Sequence, residues 1–418
     1  MKSRLIVKGN FIFTKASEKF EIFKDSYLVV RDGRVQGIHP QLPGGYEDCE
    51  ILDYGDRIVI PGFVDLHLHA AQYLQCGIGM TKTLLDWLND YTFDLERQFQ
   101  DRAFARAVYS EFAAKLVAHG TLRASVFASS STPGTEELFD ALKAQGIGAY
   151  VGKVNMDRNA PDFILEDTAT SIEGTRYLIE KYGDEPLVKP IITPRFAPTS
   201  TDALLKSLGE LAVAEGLPVQ SHLNENKDEI GWVQSLFPGS RHYSDVYDQY
   251  NLFGQTPTIM AHAIYSNDEE VALAKKNKVF LCHCPDSNIN VRSGIMPVRR
   301  YLEMGMNLGL GSDIAGGHRI GMNDAIVRAI QLSKLRSMAV EGEKPLSVSE
   351  AFYLGTKGGG RFFGKTGSFE PGYWFDALVI EESPLVKERY SLEDRLEKFL
   401  YTGDDRHISA RFVQGNML

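Results

Sequence analysis

The chain has 418 residues, 43% hydrophobic and 24% charged, with a formal net charge of −10, which is the balance of a globular protein too long for one small core. Phosphate binding rests on Lys and Arg releasing counterions, so this acidic balance excludes nucleic acid as the main partner. No window approaches the roughly 18 apolar residues of a spanning helix, and residues 1–10 carry no long apolar leader core, so the expectation is a cytoplasmic protein with no membrane attachment.

The first sixty residues read as short alternating strands at 5–7, 26–30, 35–38 and 58–60, separated by turn signals. Asp32-Gly33-Arg34 between two of them predicts a hairpin turn. Next comes Pro61-Gly62-Phe63-Val64-Asp65-Leu66-His67-Leu68-His69, a Pro-Gly turn and an apolar strand ending in two histidines. In a strand, side chains at i and i+2 share a face, so His67 and His69 can reach one metal ion.

From there apolar strand-like runs at 122–128, 148–154, 189–193, 218–222, 258–262, 278–283 and 307–311 alternate with helical patterns at 101–119, 135–144, 201–215, 268–277 and 323–339. Such alternation over about 300 residues predicts a parallel (β/α)8 barrel of the TIM type, with its chemistry where strands end and loops begin. Strand-like runs return at 377–380 and 408–413. The expected division is a small β-sandwich domain built from residues 1–62 and 367–418, around a barrel of residues 63–366. Cys49, Cys76, Cys282 and Cys284 are too few for a disulfide scaffold; the pair around His283 reads as core cysteines on a strand running into a turn.

Polar residues at the predicted strand ends are His67 and His69, then Arg195, His222 with Glu225, His262, His283 and Asp313. Neutral imidazoles with one carboxylate suit Zn²⁺ or a similar ion, and a coordination position left open holds a water whose pKa falls toward about 7. Hydrolysis is the chemistry that follows. Asp313, in Leu308-Gly309-Leu310-Gly311-Ser312-Asp313, reads as a ligand that also takes the water's proton. Glu225, three residues after His222, sits where a general acid/base belongs, and His262 reads as a hydrogen-bond donor to the water or the substrate. His283 and Asp286 have no assigned role. His39, His119, His242, His318 and His407 read as surface groups in turns or at helix ends.

The runs 61–69, 221–226, 284–288 and 311–317 resemble the amidohydrolase superfamily. A closer resemblance, to its guanine deaminase family, rests on His69-Ala70-Ala71-Gln72-Tyr73, Leu84-Leu85-Asp86-Trp87-Leu88, Asp157-Arg158-Asn159-Ala160-Pro161, Thr193-Pro194-Arg195-Phe196-Ala197-Pro198-Thr199, Glu225-Asn226-Lys227-Asp228-Glu229-Ile230 and Thr402-Gly403-Asp404-Asp405-Arg406. The resemblance implies hydrolysis of the guanine 2-amino group to give xanthine and ammonia, in a homodimer. It implies metal ligands at His67, His69, His222 and Asp313, Glu225 as proton shuttle, His262 beside the metal, and purine contacts from Gln72, Arg195 and Phe196, with His222, Glu225 and Asp313 also facing the substrate. The alternatives are a deaminase of another purine or triazine, such as 8-oxoguanine or ammeline, and a non-catalytic barrel. Ala71, Asn224, Ser312 and Asp286 depart from the family pattern, and none removes a ligand. The fourth barrel strand ends without lysine, Lys189 being at its start, so one divalent ion per subunit is expected, Zn²⁺ or Fe²⁺. Pro-Cys-x-x-Cys is absent, which excludes the unrelated zinc deaminases.

Overall fold

The computed structural model describes residues 4–46 and 49–418; residues 1–3, where the segment read for a leader begins, and residues 47–48 lie outside the described residues. In chain order the strands are β1 (Arg4–Thr14), β2 (Phe20–Arg31), β3 (Arg34–His39), β4 (Ile51–Pro61), β5 (Phe63–His69), β6 (Thr121–Phe127), β7 (Gly148–Gly152), β8 (Val188–Pro190), β9 (Val219–Leu223), β10 (Thr258–His262), β11 (Phe280–His283), β12 (Asn307–Leu310), β13 (Ala377–Ile380), β14 (Ile408–Val413) and β15 (Asn416–Met417). Contacts divide the chain into two compact units. One comprises Met1–Asp65, Lys115–Arg123 and Gly321–Leu418, and the other Leu66–Ala114 and Ala124–Ile320.

In the first unit, strands from both termini form one seven-stranded sheet in the order β15-β14-β13-β4-β1-β2-β3. Alternation buries Val7, Phe11, Phe13, Leu28, Val30, Val59, Phe375, Val379 and Phe412 in a single apolar cluster. Asp32 and Gly33 have φ of 51° and 73°, the left-handed pair that a tight hairpin between β2 and β3 requires. A Cβ at Gly33 would lie 2.4 Å from the Gln414 carbonyl oxygen, so glycine is needed there twice over. The strands run longer than their apolar cores suggest. The largely solvent-facing start of β4 still pairs with β1, Ile51 opposite Ile6 and Asp53 opposite Lys8, and shifts of register in β1 separate that stretch from the buried one.

The barrel strands follow in two runs, β5-β6-β7-β8 and β12-β11-β10-β9. A parallel bridge between Ile192 and Val219 joins the runs on one side. On the other, Asp313 N donates to His67 O at 2.9 Å and His69 N donates to Ile314 O at 2.8 Å. The ring so closed is the expected barrel type. β5 and β6 are buried at every position, as strands covered on both faces must be. β8 is shorter than the run 189–193 because Pro190 and Pro194 have no N–H to donate to a ladder. The helix Thr132–Gln145 starts earlier than its apolar pattern, since Ser131 Oγ caps it by accepting from Gly134 N at 3.1 Å and Pro133 fits its first turn.

Candidate active site

The ends of β5, β9 and β10 and the turn after β12 bring the sequence-selected residues together. His67 and His69 project from one face of β5, His222 is the fourth residue of β9, His262 ends β10, and Asp313 follows β12 by three residues. His262 and Asp313 turn the chain at φ of 73° and 48°, a conformation costly for side chains with a Cβ and concentrated at functional sites. His69 Nε2 lies 3.1 Å from His222 Nε2, and Asp313 Oδ1 lies 3.3 Å from His67 Nε2 and 3.5 Å from His69 Nε2.

Burial works against protonation of these imidazoles. Burial pushes His69 and His222 well below their ordinary range, with His67 adding to the effect in each, and burial lowers His67 against the pull of Asp313. Burial opposes the Asp313 charge, but the neighbouring His67, His262 and His69 outweigh it and hold the carboxyl well below the usual carboxylate range. His222 Nδ1 donates to the Arg195 carbonyl oxygen at 2.6 Å, which leaves the Nε2 lone pair facing His69. Acceptor atoms converging at 3.1–3.5 Å match the edge of a tetrahedron with bonds of about 2.0–2.1 Å, roughly 3.3 Å. The donor set fits a divalent cation. Cys284 Sγ also comes within 4.8 Å of ligand atoms of His67, His262 and Asp313, but it lies 3.9 Å from Cys282 Sγ, as the reading of buried cysteines anticipates.

Glu225 stands beside this cluster, its Oε2 3.5 Å from His262 Nε2 and its Oε1 accepting from Ser293 Oγ at 2.9 Å. Burial pushes its carboxyl up to about 7, with Glu229 and Asp313 adding to the rise and His262 opposing it. That is the range a group needs to take and return a proton near neutrality. His262 is raised as well, though by a different cause: burial opposes its charge, but Glu225 and Asp313 lift it above the ordinary histidine range. Its Nδ1 donates to Asn288 Oδ1 at 2.9 Å, which aims Nε2 at the two carboxylates.

One cavity is lined by His69, His222, Glu225, His262 and Asp313, by Gln72, Arg195 and Phe196, and by the apolar Leu84, Trp87 and Leu88. Arg195 Nη1 donates to Glu96 Oε2 at 2.6 Å, and Gln72 Nε2 donates to Glu96 Oε1 at 2.9 Å. Gln72 Oε1 accepts from Ala315 N at 3.2 Å, which fixes its amide.

The sequence reading did not single out Glu96, Asn288 or Ser293. Glu96 pairs with Arg195 across 99 residues, and no local spacing announces it. Asn288 closes the run 284–288, the one available signal. His283 is buried, and burial lowers its imidazole to about 3; it lines no part of the cavity. His242 corrects the surface reading: it is only 9% exposed, because its Nδ1 caps the helix Tyr243–Asp248 by accepting from Asp245 N. Asp286 is likewise buried, within the helix Pro285–Asn290. No helix of the described residues is long and apolar enough to cross a membrane.

The amidohydrolase family matches residues 58–418. A guanine deaminase of Dictyostelium discoideum is 36% identical over 453 residues, spanning 100% of this chain and 99% of that protein. A human guanine deaminase is 34% identical over 438 residues, spanning 99% and 96%. A crystal structure of guanine deaminase from C. acetobutylicum, with guanine bound in its active site, is 51% identical, covers 100% of both chains and superposes with a TM-score of 0.98. On matches of this length the chain belongs to the amidohydrolase family, with guanine deaminases as its full-length relatives.

Proposed function

We propose that the chain deaminates guanine hydrolytically: the oxygen of water bonds to C2, the C2–N2 bond breaks, and xanthine and ammonia leave. The observation that carries this reading is one cavity lined both by the convergent His69, His222, Asp313 and Glu225 and by Arg195, Gln72 and Phe196. His67, His69, His222 and Asp313 are the proposed ligands of one divalent ion, Zn²⁺ or alternatively Fe²⁺, which when bound supplies a water of lowered pKa. Glu225 takes one proton from the attacking water and gives it to a ring nitrogen, then takes the second from the added oxygen and gives it to the departing amine, which leaves as ammonia. His262, its charge favoured by Glu225 and Asp313, donates to the oxygen on which negative charge develops.

On the other side, Arg195 donates to the guanine carbonyl, the remaining amide N–H and lone pair of Gln72 address the purine edge, and Phe196 gives the ring a flat apolar contact. Adenine offers an amino group where guanine has a carbonyl, and would oppose donor to donor at Arg195. Steady-state assays on guanine, 8-oxoguanine, adenine and ammeline test the assignment; a higher rate on adenine than on guanine overturns it. Metal content of the purified protein below a tenth of an equivalent would instead support the non-catalytic barrel. The family resemblance also supports a homodimer, to be checked by light scattering; the sequence pattern supports a cytoplasmic setting and the division of sandwich and barrel at 62/63 and 366/367.

A further inference from the structure

Glu96 is buried behind the cavity, absent from its lining, and joins two residues that do line it. Arg195 and Glu96 side chains are 3% and 4% exposed, so the guanidinium has been stripped of water with this carboxylate as its one ion-pair partner among the described residues. The second Glu96 oxygen holds Gln72, whose amide is fixed from its other end by Ala315 N. Glu96 ends the short helix Phe93–Glu96, which continues directly from the segment Leu88–Thr92. Two consequences follow. Arg195 and Gln72 are locked as one unit at a single carboxylate. The positive charge of Arg195 is also cancelled locally, while N–H donors not spent on Glu96 remain for a carbonyl.

We propose that Glu96 is a positioning residue that makes this wall of the cavity select an uncharged purine carbonyl and reject purine anions. An unpaired buried guanidinium would bind an anion in preference to a neutral carbonyl, because a charge in a low-dielectric site attracts opposite charge more strongly than it attracts a dipole. This inference rests on the functional reading above and names the selectivity of the same site.

The test compares guanine turnover with inhibition by urate, a purine that carries negative charge at neutral pH, in metal-loaded wild type, Glu96→Gln and Glu96→Asp. Glu96→Gln keeps the shape and removes the charge; it should lower kcat/KM for guanine roughly 10- to 100-fold, mostly through KM, at unchanged metal content. The urate inhibition constant should tighten at least about tenfold in the same variant. Glu96→Asp keeps the charge but is too short to hold both partners; it should lose guanine turnover while keeping the wild-type rejection of urate, and it carries the test if Glu96→Gln fails to fold. A uniform loss of guanine turnover in Glu96→Gln with unchanged urate inhibition would reduce Glu96 to a structural role and overturn the proposal, as would wild-type values for Glu96→Asp. Absence of guanine turnover in the wild type would strike the functional reading instead, whereas normal wild-type turnover with unaltered variants would strike this inference alone.

Discussion

In the cluster of His67, His69, His222 and Asp313, nitrogen and oxygen atoms able to bind a cation converge at 3.1–3.5 Å, and burial disfavours protonation of His69 and His222. Elsewhere in the same lining, the Arg195 and Gln72 side chains give donors to a carboxylate that has an oxygen for each. The first region is proposed to be joined by a bound cation, whereas the second is joined by its own hydrogen bonds. The comparison teaches that the two halves should respond differently to damage: loss of one ligand should dissolve the first, whereas loss of one contact should only loosen the second.

The largest effect should come from His67→Ala or Asp313→Ala, each of which removes a proposed ligand. Both should lose most of their metal by elemental analysis and their activity with it; full occupancy with normal turnover would erase the contrast between the two halves. Next is Glu225→Gln, which keeps shape but cannot move a proton. It should retain metal and lose roughly 10²- to 10⁴-fold in kcat, and a rate within threefold of wild type would remove Glu225 from the mechanism.

Arg195→Ala should sharpen the contrast, because the backbone carbonyl that accepts from His222 survives the substitution. Metal should stay, while kcat/KM for guanine falls about 10- to 150-fold, since a hydrogen bond to a charged group is worth about 1.5–3 kcal/mol. The smallest effect is on the pH profile. Glu225 must be ionised to accept a proton, and burial first, then Glu229 and Asp313, set its carboxyl at about 7. Activity should therefore fall as pH drops through that value, to roughly a tenth at pH 6. A flat profile down to pH 5 would show that the carboxyl is not raised in the working enzyme.

The cluster was legible in the sequence because its members obey local rules: His67 and His69 share a strand face, and His222, His262 and Asp313 each follow an apolar run at the point where it stops. The supporting groups were not. Glu96 reaches Arg195 from 99 residues away, and Ser293 reaches Glu225 from 68. Such partners are chosen by the ring closure of the barrel, and neither hydrophobic period nor turn chemistry records that. His242 misled for a related reason, since a polar residue ahead of a short helix looks solvent-facing until the packing of its neighbours is known. The eight barrel strands were found from their apolar runs, whereas β2 and β4 were underestimated, because only their buried halves carry an apolar signal.

Residue 195 serves two masters: its carbonyl oxygen accepts from His222 Nδ1 while its guanidinium faces the cavity. For anyone redesigning the catalyst, that shared residue limits the available moves. Exchanging its side chain leaves the peptide group in place and can retune recognition alone, whereas inserting, deleting or grafting residues around 193–199 displaces the carbonyl and unseats an imidazole. New substrates are therefore more accessible here by point substitution than by loop replacement.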